Sequence, residues 1–454
     1  MTIMVTKSRK LSLRRVSAYA GISLGVLILA VALVILVFGG AILDGYGKRK
    51  LERLFAEAHP GSVLRIGQLA YSIRSNLLVA QSVTLSATNA NLKIDRVSLS
   101  GVRWSLLLRE KAAPADVLAK ASLDATNLDV QFPESRYGIR CARLWASVPA
   151  SELIAEATEL RALLGEEAFF AASHDRTTWF HVVVPECRVS GVVYGQLLQG
   201  KSYRASSVHI SGPTFEALVN RDKPLAPFVK SPLMVHQALA AIPQPLQLDS
   251  LTVTNGNLKY CERLVEGADP GVLTVSKINL SAEGIANRGE GSAAIKLRAQ
   301  GDLMDTATLK VLLSIPITPP DFSLHYSGSL TKMDLTRLNA FLEIAEHLQI
   351  KSGVAQWASF DINVTAGQAR GRVRGIYENL EIAMLDKRTG SAESFDHRVS
   401  SFLANVLKIR NANGPDHLRS MKEGEVSYTK RPSDQFQQFL WFALRTGVLD
   451  IIHK

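Results

Sequence analysis

From residue 63 onward the chain alternates between apolar and polar side chains. Leu64/Ile66, Val83/Leu85, Leu92/Ile94, Val97/Leu99 and Val102/Trp104 put apolar groups on one face of an extended segment, and Ser, Thr, Asn, Lys and Arg take the other. The same period returns at Leu251/Val253, Leu273/Val275, Ile278/Leu280, Ile295/Leu297, Leu309/Val311/Leu313/Ile315, Phe322/Leu324/Tyr326, Phe360/Ile362/Val364 and Leu380/Ile382/Met384. These runs predict a mainly β protein with a few helices.

Helical spacing interrupts the alternation at few places. Residues 151–164 open on Ser151 as an N-cap and carry Leu153, Ala157, Leu160 and Leu164 on one face, which predicts a helix. Residues 335–348, with Leu338, Phe341, Leu342, Ala345 and Leu348, predict another, and shorter helices are expected in 48–58, 114–120, 232–241 and 394–408. A closing amphipathic helix over 433–454 starts after Ser433 and presents Phe436, Phe439, Leu440, Trp441, Phe442 and Leu444.

Pro224, Pro227, Pro243 and Pro245 mark an internal boundary between a first β-rich region, 44–230, and a second, 231–432. "VTLSATNANLKIDRVSLSGV" on one side is echoed by "LTVTNGNLKY" and "LTVSKINLSAEG" on the other, each read as strand, Asn-rich turn, strand, strand.

Residues 16–43 carry no charge. At 1.5 Å per residue such a helix exceeds the roughly 30 Å hydrocarbon core, so it is expected to span as a transmembrane anchor. A cleaved signal peptide has a shorter apolar run ending at small residues, and the nearest such triplet, Ala30-Val31-Ala32, sits in mid-run. The chain's +11 charge is concentrated around this segment: nine Lys or Arg against Asp44 and Glu52 in residues 1–53 give +7, leaving +4 for the other 401. The basicity therefore flanks a membrane segment and does not point to nucleic acid. The cluster in residues 1–15 places that tail in the cytoplasm and the bulk outside.

Candidate chemistry changes little. "GQLLQGKS" (195–202) matches G-x-x-x-x-G-K-[ST], but the pattern needs a helix after its Lys-Ser, and Val208 and Ile210 predict a strand there, so Lys201 is read as a solvent-facing turn residue. Cys141, Cys187 and Cys261 are too scattered for a disulfide scaffold or zinc cluster, and whether any two pair is left open. His174, His181, His325 and His347 lack ligand spacing, Glu166/Glu167 read as a solvated helix end, and no nucleophile or cofactor motif occurs. No catalytic residue, metal or cofactor is expected.

"LDSLTVTNGNLKYCE", "VLTVSKINLSAEGIAN", "MDLTRLNAFLEIAEHLQIKSGVAQWASFDINV", "GRVRGIYENLEIAML" and "SDQFQQFLWFALRTGV" resemble successive blocks of an uncharacterised branch of the AsmA-like superfamily, which includes the TamB- and YhdP-type bacterial envelope proteins. The resemblance extends over 16–448 and is weakest in 129–231. It implies a single-pass bacterial inner-membrane protein whose elongated, twisted, groove-like antiparallel sheet projects into the periplasm. It further implies shielding and transfer of phospholipid or another lipid between membranes, or support of outer-membrane assembly, with an outer-membrane or envelope protein as partner.

A sheet apolar on one face must cover it with helices, another sheet or something greasy. On this reading Val83, Leu85, Leu92, Ile94, Leu251, Val253, Leu273, Val275, Ile295, Leu297, Phe360 and Ile362 line a lipid groove, while the competing reading puts them in an ordinary sandwich core. Phe436, Phe439, Leu440 and Trp441 are candidates for membrane contact, the competing role being a cap over the last sheet edge. A closed scaffold without lipid transport, and an envelope hydrolase, are the rival functions.

Overall fold

The computed structural model describes residues 49, 52–53, 55–57, 61–107, 114–224, 232–289, 293–317, 321–385, 409–414 and 421–453. The expected span 16–43 and the expected helix 394–408 lie outside these residues. Among the described residues no helix is long and apolar enough to cross a membrane.

Among the described residues eighteen strands form one sheet. They are β1 (Val63–Ser72), β2 (Leu77–Ala87), β3 (Ala90–Ser100), β4 (Ser122–Phe132), β5 (Tyr137–Ser147), β6 (Glu152–Ala162), β7 (Thr178–Ser190), β8 (Tyr203–Ser211), β9 (Thr214–Asn220), β10 (Leu246–Arg263), β11 (Gly271–Ala286), β12 (Ala294–Leu303), β13 (Ala307–Pro316), β14 (Leu324–Leu330), β15 (Met333–Asp334), β16 (Leu348–Thr365), β17 (Gln368–Met384) and β18 (Gly424–Thr429). Among the described residues the helices with defined bounds are α1 (Trp104–Leu107), α2 (Pro114–Val117), α3 (Glu166–Ala171), α4 (Tyr194–Leu198), α5 (Val235–Ala240), α6 (Asn339–Ala345) and α7 (Phe436–Ile452).

Nearly every strand pairs antiparallel with the next one in sequence. β8 and β9 are collinear: β7 pairs with β9 through its first half and β8 through its second, and both run parallel to β10. The parallel step requires a long crossover, supplied by residues 221–245 with α5. The ladder thus continues across the proline-rich segment. With β8/β9 and β14/β15 each sharing one position, it extends about 70 Å at ~4.8 Å per strand.

A line of bulges crosses the ladder. Gly67 and Ser82 sit between the pairs Ile66↔Val83 and Gln68↔Gln81, and the corresponding gap recurs at Asp95, Asn127, Ala142, Ala157, Pro185, Gly212 and Asn255. Ser82, Asn127, Ala157, Gly212 and Asn255 have φ between 47° and 59°. Each strand carries one extra residue there, so the register resumes in phase while side-chain alternation changes parity. Leu92 and Ile94 face the core before the bulge in β3, Val97 and Leu99 after it. Pro185 lacks an N–H for the ladder, and the bulge is where a mid-strand proline is tolerated. Asn127 donates to Asp95 Oδ2 at 3.0 Å across the line.

The bulges explain two corrections. Residues 151–164 form strand β6, not a helix. The insertion at Ala157 displaces the period-two pattern by one, so Leu153 and Ala155 share a face with Leu160 and Ala162, and the resulting spacing mimics a helical turn. Likewise Asn255-Gly256-Asn257 is not a turn between strands but the bulge within continuous β10. The predicted helix 335–348 is shorter than expected: a 3-10 turn, Leu335–Leu338, leads into α6.

Both edge strands are covered by hydrogen bonds from neighbouring helical segments. On β1, Ile66 N–H donates to Glu52 Oε1 at 2.9 Å. On β18, Glu425 N–H donates to Asp450 Oδ2 at 2.8 Å and Ser427 N–H to Thr446 Oγ1 at 3.2 Å, both acceptors on α7. These contacts occupy N–H groups that would otherwise template pairing with another chain.

Candidate functional site

Because every strand keeps phase across the bulges, apolar side chains line up from strand to strand. One row runs Tyr71, Leu78, Leu99, Leu123, Ala146, Leu153, Val189, Val208, Leu251, Ala282, Leu297, Leu313, Tyr326, Ile362, Gly371, Val426, one residue per ladder position from β1 to β18. No polar side chain interrupts it apart from the two tyrosine hydroxyls. The row beside it, from Leu69 through Val97, Ile210, Val253 and Phe360 to Gly424, is equally unbroken. Beyond the bulges a third row extends from Leu64 through Leu85, Leu92, Leu160, Phe215 and Val275 to Ala307.

Burial along these rows is uneven. At the β1 end Leu85, Leu92 and Ile94 are 5%, 9% and 1% exposed and pack with Leu64, Ile66, Leu128 and Phe55, and Val83 lies against that core. At the β18 end Ile295 and Ile362 are 6% and 0% exposed in a second core, with Phe360 beside it. In the middle Leu251, Val253, Leu273, Val275 and Leu297 are half-buried and belong to none of the five packed clusters of the described residues. Val189, Val208, Ile210, Leu280 and Val311 share that state, and Phe215 is 37% exposed.

The covering elements account for the gradient. Val117 of α2, with Leu118 and Trp104, packs on Leu78, Leu99 and Leu123. At the far end α7 lies over β17 and β18. Phe439 is fully buried, its ring 5.0 Å edge-on to Phe322 and 5.7 Å from Tyr428, and Phe436 is half-buried against the same Phe322. Leu440 packs on that core, and its carbonyl accepts from Tyr326 Oη at 3.0 Å. Of the four candidates for membrane contact, only Trp441 is exposed, at 48%. Helix and sheet meet closely because Gly424 and Gly447 lie face to face: a Cβ on Gly424 would stand 2.0 Å from the Gly447 carbonyl oxygen.

One side of the middle stretch is fixed by charge. Arg263, at the end of β10, has 3% side-chain exposure, donates to Glu167 at 2.6 and 3.0 Å and to Glu166 at 3.3 Å, and lies 4.8 Å over the Phe170 ring. The hydrogen bond from Arg263 holds the Glu167 carboxyl below its usual range. These two glutamates therefore grip a buried cation through α3. Arg221 bonds Glu262 at 2.8 Å and the Ala345 carbonyl at 3.2 Å, joining β9, β10 and α6.

The remaining sequence candidates resolve simply. In the segment that matches the phosphate-loop pattern, Gly195 to Leu198 lie within α4, and Lys201 is exposed just before strand β8. The helix precedes the Lys-Ser pair, the reverse of a phosphate cradle, and Gly191 to Tyr194 are a turn and helix start, not a strand. The three cysteines are free. Cys141 and Cys187 lie on β5 and β7 with β6 between them, too far apart for a bridge, and burial pushes the Cys187 thiol up. Among the described residues no three His, Cys, Asp or Glu side chains are grouped to hold a metal ion.

The alternation in the sequence marks the strands' apolar faces, including Val208 and Ile210 of β8, but not the rungs Leu160, Val182, Val189 and Phe215 of β6, β7 and β9. The signal was available as alternation that changes parity after one small or polar residue. No protein-family model matches this chain and no curated protein matches it.

Proposed function

We propose that the bulged sheet is a trough whose apolar floor takes lipid acyl chains. The observation that carries this reading is the set of apolar rows running the full ladder while Val189, Val208, Ile210, Leu251, Val253, Leu280, Leu297 and Val311 stay half-buried and outside every packed cluster of the described residues. Each bulge adds a residue on the solvent side of its strand, lengthening that face and folding the sheet toward the apolar one. An acyl chain laid there gains about 0.8 kcal/mol for each CH₂ removed from water.

The uncharged segment 16–43, with its basic flanks, supports anchoring in a membrane with the sheet outside the cytoplasm. The resemblance to AsmA-like proteins supports a bacterial inner membrane and a role in passing lipid toward, or assembling, the outer membrane. The packed clusters at the two ends favour a second reading, a closed scaffold with no lipid.

Photoreactive residues at Val253 and Leu297, with controls at Ile94 and Ile362, separate the two. Crosslinked phospholipid is expected at the first pair and not at the second; label on protein alone at all four positions rejects the trough.

A further inference from the structure

At the rim of the half-buried stretch lies a concavity of about 460 Å³, formed by the starts of β8, β10 and β12 and the end of β11. That volume is within the range of small-molecule clefts. It lies on the two strands that carry Val208 and Leu251, four residues before each, where Arg204 pairs with Gln247. Its lining divides into two chemistries. Leu246 and Leu248 are half-buried and continue the apolar floor, and Ile285 and Ile317, also half-buried, pack against the core at the β18 end. Arg204, Arg288 and Asp249 supply charge, and all three are exposed.

The state of these charges is informative. Among the described residues Arg204 and Asp249 form no ion pair, although both line the same concavity; Asp249 accepts from Gln247 Nε2 at 3.1 Å. Arg288 is steadied by donating to the Pro243 carbonyl at 2.7 Å, which leaves its other N–H groups unused by the described residues. The floor is held by Asn287, whose side chain accepts from Leu246 N–H at 2.7 Å and donates to the carbonyls of Ile242 and Gln244 at 2.9 and 2.7 Å. A fixed apolar base with two guanidinium groups and one carboxylate at a water-facing rim matches a ligand with an oily tail, one anionic and one cationic group.

We propose that this concavity recognises a zwitterionic phosphoethanolamine headgroup, with Arg204 and Arg288 on the phosphate and Asp249 on the ammonium. Guanidinium forks suit phosphate oxygens, and a carboxylate suits an ammonium donor. This rests on the trough reading, since the headgroup is placed where a chain lying on Leu251 and Val208 reaches water.

The test titrates the full-length, detergent-purified protein with four probes: dihexanoyl phosphatidylethanolamine, dihexanoyl phosphatidylglycerol, dihexanoylglycerol and glycerophosphoethanolamine. Phosphatidylethanolamine is expected to bind at least fivefold tighter than phosphatidylglycerol, and Asp249→Asn to erase that preference. Arg204→Ala combined with Arg288→Ala is expected to weaken both phospholipids at least tenfold and leave dihexanoylglycerol unchanged. Arg204→Ala alone, at an exposed position whose side chain has no ion pair among the described residues, should show the same direction with an unaltered melting temperature. Phospholipid affinities within twofold of wild type in these variants, with dihexanoylglycerol still bound, overturn the headgroup site and spare the trough. Arginine-dependent binding of glycerophosphoethanolamine without any binding of dihexanoylglycerol keeps the headgroup site and removes the trough.

Discussion

Leu251 and Ile362 stand in one row of the same sheet, five ladder positions apart, and meet opposite fates. Ile362 is completely buried beneath Phe322, Phe439 and Val426; Leu251 is half-buried and belongs to no core. Neither side-chain type nor strand pattern differs between them. What differs is cover: α7 has the aromatic residues and the glycine contact to seat on β17 and β18, whereas the helices that reach β10 and β11 pack at the Tyr260, Cys261 and Gly271 end, in contacts that do not include Leu251. An apolar face therefore becomes core or binding surface according to what is laid over it.

The largest expected effect lies at the sealed end. Phe439→Ala removes a fully buried ring from between Phe322 and Tyr428 and should cost about 3–5 kcal/mol, seen as a lower melting temperature and urea midpoint. A loss below ~1 kcal/mol would mean that α7 is not what seals the rows. Gly424→Val attacks the same seam from the strand: its side chain would collide with the Gly447 backbone, and a cost of about 2–3 kcal/mol is expected by the same measurement.

Asp450 tests edge cover apart from core. Its carboxylate accepts from Glu425 N–H at 2.8 Å and lies 3.3 Å from Lys422 Nζ. Asp450→Ala leaves the buried aromatics in place and should cost about 1 kcal/mol, because the site is partly exposed and solvent screens the ion pair. Self-association measured by sedimentation should rise, since an edge N–H is released. Stability and sedimentation both unchanged would show that the edge is protected by the helix body alone.

How far the sequence disclosed this architecture is clearest at particular residues. Val83, Leu85, Leu92 and Ile94 were legible because alternation is local, and a strand needs no distant partner to display it. Ala157 reads as helix because one inserted residue makes period two imitate a helical turn, and only the gap in the ladder that it shares with Ala142 and Pro185 on the neighbouring strands reveals a bulge. Asn255 looked like a turn for a related reason: asparagine serves the left-handed conformation equally in a turn and within a strand. The rim concavity left no local trace, because Arg204, Asp249 and Arg288 come from three segments that only the parallel step between β8 and β10 assembles.

The smallest expected effect bears most directly on the open stretch. Val253→Thr keeps shape and β preference while adding a hydroxyl to the row beside Leu251. Where the side chain is sealed, an unpaired hydroxyl costs about 1–3 kcal/mol; where it meets water or a mobile lipid tail, the cost should stay within about 0.5 kcal/mol. Val426→Thr, at a position 1% exposed, supplies the sealed reference on the same scale. Equal losses at Val253 and Val426 in urea denaturation would place the middle of the sheet in a closed core and remove the physical basis for lipid on its floor.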